Sequence, residues 1–102
     1  MSDYPGIVVM TRSISLALEE VIAGIEEEGV MYEVFFDKSS LLDMASIAAR
    51  KSKLHVGIAI LDEAVAVIRD LNEDVVIDKG FDYRRIGHNS ARYVKHHKLK
   101  GF

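Results

Sequence analysis

The feature that most constrains this chain is the alternation of short apolar runs with segments of helical periodicity in its first half. Residues 6–10 form an apolar run with the length of a buried strand. Either Ser13 or Ser15 can then cap a helix, and Gly29 stands where a left-handed residue commonly ends one. Between them, large apolar residues recur at the spacing of one helix face. These residues are Ile14, Leu18, Val21, Ile22 and Ile25.

The same alternation continues to residue 61. Residues 31–36 are rich in β-forming side chains and predict a second strand. Residues 40–43 have the spacing of a capping box and predict a helix that runs to about Lys51. Residues 56–61 predict a third strand, in which Gly57 indicates that another element packs closely against one face. Parallel strands that are joined through helices take right-handed crossovers.

The second half of the chain predicts a hairpin and a final helix. A tight turn at residues 62–63 leads into an antiparallel strand at 64–69, and residues 75–77 form a fifth short strand. The last helix is expected from about Asp82 to about Lys98. Its predicted inner face consists of Ile86, Ser90, Tyr93, Val94 and His97. The mid-helix Gly87 and Asn89 are poor helix formers, and the interior Gly indicates a close backbone approach, either to the sheet or to a partner.

These elements predict the order β-α-β-α-β-β-β-α in a single α/β domain over residues 1–102. We expect a three-layer α/β/α sandwich with a mixed, mostly parallel five-stranded sheet and one antiparallel strand. The chain of 102 residues is 49% apolar, which suffices for one hydrophobic core.

Composition and absent motifs exclude several function classes. The chain has no Cys, which excludes disulfides and thiolate metal sites. It has no apolar run long enough to cross a membrane and no signal-peptide pattern at its start, so we expect a cytoplasmic protein. The sequence also lacks the phosphate-binding loop, dinucleotide-binding and nucleophile-elbow motifs, and no other pattern indicates an enzyme site.

The charges are distributed unevenly along the chain. Residues 1–50 carry three Lys and Arg against nine Asp and Glu, whereas residues 51–102 carry ten against seven. Glu26, Glu27 and Glu28 lie in the last helical turn, where the negative end of the helix dipole disfavours carboxylates. Helical spacing turns Glu27 away from the buried face. This acidic end is either a solvated surface or a site for a divalent cation or a basic partner.

The last helix carries the opposite charge. Its basic side chains include Arg84, Arg85, His88 and Arg92, which could dock or orient a partner. Nucleic acid is not the expected partner, because the isoelectric point of about 5.8 is far below the value of about 9 that is typical of such domains.

Three segments together resemble the small subunit of the diol/glycerol dehydratase reactivating factor. Residues 21–30, 48–59 and 86–95 carry the sequences VIAGIEEEGV, AARKSKLHVGIA and IGHNSARYVK. The resemblance extends from about Ile7 to Leu99. It implies the same three-layer fold and a non-catalytic accessory subunit of an ATP-dependent, chaperone-like factor. Such a factor releases damaged cobalamin from diol or glycerol dehydratase, so that intact adenosylcobalamin can enter.

The resemblance also implies partners and a site. The expected partners are a large, actin-like ATPase subunit that hydrolyses ATP and the dehydratase, with whose medium subunit the small subunit is exchanged. Glu27 is expected to reach a divalent cation, magnesium or calcium, at the contact with the large subunit. Glu26, Glu28, Arg84, Arg85, His88 and Arg92 are expected to bind the partner. No nucleic acid or membrane is expected.

One close relative gives the alternative interpretation. The medium subunit of the adenosylcobalamin-dependent dehydratases is similar in the first and third segments, and it contacts the cofactor. That subunit has an N-terminal extension and a long C-terminal tail, so the length of this chain favours the reactivating factor. The sequence does not distinguish a propanediol from a glycerol system, and the isolated chain could self-associate as a homodimer. It also leaves open an association with a bacterial microcompartment.

Overall fold

Five strands and three helices lie within the part of the chain that the structure, a computed structural model, describes: residues 4–78 and 82–99. The strands are β1 Ile7–Thr11, β2 Tyr32–Phe36, β3 Gly57–Leu61, β4 Ala64–Ile68 and β5 Val76–Asp78. The helices are α1 Leu16–Glu27, α2 Leu41–Lys51 and α3 Tyr83–His97. The predicted order of elements is confirmed.

The strands form one mixed sheet in the order β2-β1-β3-β4-β5. Strand β1 pairs in parallel with β2 and β3, and the central strand β3 pairs in an antiparallel direction with β4. Because β5 is antiparallel to β4, it runs in the same direction as β1, and β4 alone among the described strands is reversed. The predicted fold class, a mostly parallel sheet with one antiparallel strand, is confirmed.

The alternating side chains of the sheet build a core on each face. Ile7 and Val9 of β1 pack in one cluster with apolar residues of α1 and α3. Val8 and Met10, the intervening residues, pack in a second cluster with α2. Since successive strand residues point to opposite faces, this alternation produces the predicted three layers, with α1 and α3 on one side and α2 on the other.

Side-chain caps fix where the helices begin. The hydroxyl of Ser15 accepts a hydrogen bond from the backbone N–H of Leu18 at 3.1 Å, so Ser15 rather than Ser13 caps α1. Ser40 caps α2 in the same way. The prediction for Ile14 is wrong, because this residue precedes the cap and its side chain is 73% exposed. Gly29 has a φ of +74°, as its predicted place after the helix requires.

The helices α1 and α3 cross in backbone contact at two glycines. A Cβ atom on Gly87 would overlap the carbonyl oxygen of Val21, and one on Gly24 would overlap the carbonyl oxygen of Arg84. Gly87 therefore sets a contact between two helices, and the predicted contact with the sheet is wrong.

The inner face of α3 also differs from the prediction. His97 is exposed and its ring stacks on Tyr93, with ring centroids 4.6 Å apart. The buried residues of α3 are Gly87, Ser90, Ala91 and Val94. The close crossing of the helices rotates the buried face toward the small residues Gly87 and Ala91. None of the helices in residues 4–78 and 82–99 is long and apolar enough to cross a bilayer.

Candidate functional site

The acidic end of α1 lies directly beside the basic face of α3. Because the two helices touch at Gly24 and Gly87, side chains on their solvent-facing sides come within hydrogen-bond distance. They form a network that we call the α1–α3 ion-pair cluster. It consists of Glu20 and Glu27 from α1, Glu28 at the C-cap of α1, and Arg84, His88, Arg92 and Lys95 from α3.

Arg84 lies at one end of this cluster between two carboxylates. Its Nε and Nη2 atoms donate to the two oxygens of Glu20 at 3.2 and 3.1 Å, which is a bidentate pair. Its Nη1 atom donates to Oε2 of Glu27 at 2.9 Å. The hydrogen bonds with Glu20, and then the charge of Glu27, raise the pKa of Arg84 above its ordinary value. The guanidinium is therefore a permanent positive charge at this position.

His88 bridges the two remaining acidic residues of the cluster. Its Nε2 atom is 2.6 Å from Oε1 of Glu27, and its Nδ1 atom is 2.8 Å from Oε2 of Glu28. A neutral imidazole has only one N–H group, so only the imidazolium form can donate to both carboxylates. This arrangement ties both oxygens of Glu27 to α3, one through Arg84 and the other through His88.

Glu28 is the most enclosed carboxylate of the cluster, with a side chain that is 13% exposed. It accepts hydrogen bonds from Nζ of Lys95 at 2.7 Å and from Nε of Arg92 at 2.9 Å, in addition to the contact with His88. The bonds from Lys95 and His88 are the main reason that the pKa of Glu28 falls from 4.5 to about 2. Glu28 therefore joins the C-terminal end of α1 to two cationic side chains of α3, Lys95 and Arg92, and to the ring of His88.

Two of the predicted site residues lie outside the cluster. Glu26 is exposed and accepts a hydrogen bond at 2.7 Å from the hydroxyl of Tyr32 on the edge strand β2. This bond is the largest of the effects that raise the pKa of Tyr32 to about 12. Arg85 is exposed on α3, where its backbone N–H donates to the capping Asp82 at 3.1 Å.

The structure thus brings together five of the seven predicted site residues, but it pairs them with one another. The acidic and basic surfaces that were expected to face partners separately neutralise each other within the chain. The sequence analysis missed two members of the cluster, Glu20 and Lys95. Periodicity could have found both, because Glu20 lies seven residues before Glu27 and Lys95 lies three residues after Arg92, which is again the spacing of neighbours on one helix face.

The Glu27 carboxylate fits one ligand position of a divalent cation. Its side chain is 49% exposed, and its two oxygens offer about four lone-pair sites, of which Arg84 and His88 use two. Carboxylate oxygen is also the donor that magnesium and calcium prefer. Within the described residues, no group of three His, Asp or Glu side chains is placed to hold a metal ion. Glu27 would therefore supply one ligand, and the others would come from a partner or from water.

A shallow cleft lies on the same side of the sheet, between α3 and the last two strands. It has a volume of about 230 Å³, below the roughly 300–1,000 Å³ of ordinary small-molecule sites. The cleft is lined by Val67, Arg69, Val76, Ile86, Asn89 and Ser90. Its one cation, Arg69, donates to Glu73 at 3.2 Å and lies over the ring of Tyr93. The α1–α3 ion-pair cluster is the stronger candidate site, because it gathers several charged side chains on the solvent-facing side of α1 and α3.

Comparison with known proteins identifies the family. The family model of the dehydratase medium subunit matches residues 5–100, nearly all of the chain. The chain belongs to the dehydratase medium subunit family. No curated protein matches this member of the family.

Two solved structures are similar to this family member. A chain in the structure of diol dehydratase-reactivating factor complexed with ADP and Mg²⁺ superposes with a TM-score of 0.76 at 29% identity, over 92% of this chain and 95% of that one. A chain of a glycerol dehydratase reactivase has a TM-score of 0.71 at 24% identity, over 89% and 92% of the two chains, and supports the fold alone. The resemblance to the reactivating factor that the sequence predicts is confirmed.

Proposed function

We propose that this chain is the small, non-catalytic subunit of a reactivating factor for a diol or glycerol dehydratase. The observation that carries the proposal is the superposition on a chain of the diol dehydratase-reactivating factor along 95% of that chain's length. A match over the whole of both chains supports an equivalent subunit. The ATP hydrolysis of such a factor would then belong to a large ATPase subunit, and this chain would act by binding.

The proposed contact with the large subunit runs through Glu27. This side chain is half exposed, lies at the end of α1 and can offer a carboxylate oxygen to a divalent cation. The similar structure was solved with ADP and Mg²⁺, which supports a divalent cation in such an assembly. Glu28, His88, Arg84 and Arg92 hold the surroundings of Glu27 in place, and Glu26 and Arg85 flank this surface.

The proposed mechanism is exchange between two partners. A subunit with the medium-subunit fold can take the place of the medium subunit of the dehydratase, and the opened dehydratase can then release its damaged cobalamin. Such an exchange is driven only by the difference between the affinities of one surface for its two partners. The residues that tune the affinity of the small subunit therefore decide how readily the exchange occurs.

Co-purification tests this assignment. The tagged chain is expressed with the large ATPase subunit, or with the large subunit of the dehydratase and cobalamin, and each pair is purified with magnesium or with EDTA. We expect a stable complex with the ATPase subunit that Glu27→Ala weakens in magnesium. The matched control is Asp43→Ala, which removes an exposed carboxylate from α2, on the opposite face of the sheet.

Each outcome of the co-purification is informative. If the complex with the ATPase subunit does not respond to Glu27→Ala, the assignment to a reactivating factor stands and the metal contact at Glu27 is wrong. Cobalamin-dependent binding to the dehydratase large subunit alone would instead favour the alternative, a medium subunit that contacts the cofactor. Size-exclusion chromatography of the isolated chain tests whether it self-associates as a homodimer.

A further inference from the structure

The Glu27 carboxylate is already paired within the chain before any partner arrives. Arg84 donates to one of its oxygens at 2.9 Å, and His88 contacts the other at 2.6 Å. A divalent cation that reaches Glu27 must share this carboxylate with the guanidinium or replace it. Because like charges repel over such short distances, the two cations compete for Glu27.

Arg84 is held so that it stays beside Glu27 during such a competition. Two of its nitrogen atoms form a bidentate pair with Glu20, and only the third reaches Glu27. Its backbone is also fixed, because the carbonyl group of Arg84 packs against Gly24 at the helix crossing. Glu20 can therefore retain the guanidinium after Glu27 has turned to a metal.

We propose that Arg84 is an internal counter-ion of Glu27 with which the partner's divalent cation competes, and that Glu20 keeps Arg84 in place once the cation has bound. This inference rests on the proposed docking through Glu27. In this role, Arg84 determines the concentration of divalent cation at which the two subunits join. In the free chain, the same contact keeps the Glu27 side chain ordered.

The test is a magnesium titration of the complex between this chain and the large ATPase subunit, read as bound fraction in a pull-down or by light scattering. We expect Arg84→Gln to lower the magnesium concentration at half-maximal complex formation by roughly fivefold or more, the lower range of ordinary coupling between two sites. Arg50→Gln is the matched control, since it removes the same charge from an exposed position on α2, across the sheet from the α1–α3 ion-pair cluster, and should leave the midpoint unchanged.

A second variant separates the proposed competition from damage to the fold. In Glu20→Gln, Arg84 loses the negative charge of its bidentate partner, so its charge acts more strongly on Glu27 and the magnesium midpoint should rise. A purely structural defect would instead shift the magnesium midpoints of Arg84→Gln and Glu20→Gln in the same direction. Circular dichroism melting of each variant identifies any that fails to fold, and Arg84→Lys, which keeps the charge, should stay closer to the wild-type midpoint.

The outcomes distinguish this inference from the proposed function. If Glu27→Ala weakens the complex but Arg84→Gln leaves the midpoint unchanged or raises it, the counter-ion role is wrong and docking through Glu27 stands. If Glu27→Ala has no effect on the magnesium dependence, the metal contact itself is wrong and the inference fails with it. Opposite shifts in Arg84→Gln and Glu20→Gln support the inference.

Discussion

Replacing Gly87 by Ala should destabilise the protein, although the substitution favours the helix locally. Ala gains about 1 kcal/mol over Gly in a helix interior. The added Cβ would, however, overlap the carbonyl oxygen of Val21 and lie 3.0 Å from the carbonyl carbon of Val21 and 3.1 Å from the nitrogen of Ile25. All three neighbours are backbone atoms of α1, which cannot rotate away as a side chain would. The two helices must therefore separate.

The net change in the free energy of unfolding is the cost of the clash minus the gain in helix propensity. Overpacking a close contact costs typically about 1–3 kcal/mol, and a clash with backbone belongs at the upper end of that range. After subtraction of the helix-propensity gain, we expect Gly87→Ala to lower the free energy of unfolding by about 1–2 kcal/mol. For a domain of this size, that loss lowers the melting temperature by roughly 4–15 °C.

Urea unfolding followed by circular dichroism measures this loss directly. The matched control is Asn89→Ala on the same helix, where the side chain is exposed and the gain in helix propensity should leave the protein equally or slightly more stable. A Gly87→Ala variant that is more stable than the wild type would refute the backbone contact between α1 and α3. The ion-pair cluster, which depends on that contact, would then need another explanation.

Three further predictions concern the interior hydroxyl, the helix cap and the acidic cluster. Ser52→Ala should cost roughly 1–3 kcal/mol of unfolding free energy, because the buried hydroxyl donates to Gly6 at 2.7 Å and its removal leaves that carbonyl without this bond. Ser15→Ala should cost about 1 kcal/mol through loss of the α1 cap. Both are measured by urea unfolding, and values within error of the wild type would contradict them. The depressed pKa of Glu28, about 2 against 4.5, predicts a stabilisation that is present above about pH 4.5 and is lost as the pH falls toward 2. Glu28→Gln should therefore lose less stability than the wild type over that range, and an unchanged pH profile would count against the cluster.

The sequence predicts the local elements well because their signals are local. The spacing of apolar residues sets each helix face, and Ser15, Ser40 and Asp82 each cap a helix within the expected region. The hairpin follows from the turn at residues 62–63, where Asp62 adopts a positive φ of 55°. Gly57 was expected to mark close packing, and a Cβ there would overlap the backbone of α2.

The errors arise where a residue's role depends on a distant part of the chain. Gly87 indicates a close approach, but only the placement of α1 and α3 on one face of the sheet shows that Val21 is its neighbour. The same placement explains why the acidic and basic side chains pair within the chain. The uneven distribution suggested surfaces for partners, whereas Glu28 and Lys95, separated by more than sixty residues, neutralise each other. Local spacing gives each charge a helix face, and only the packing of the helices gives it a partner.

The proposed function requires that Glu27 join this chain to a large ATPase subunit through a divalent cation. The dissociation constant of that complex, measured for the wild type and for Glu27→Ala in magnesium and in EDTA, tests this contact most directly. We expect Glu27→Ala to weaken binding by roughly tenfold or more in magnesium and to have little effect in EDTA. An equal loss in both conditions, or no loss in either, would contradict it.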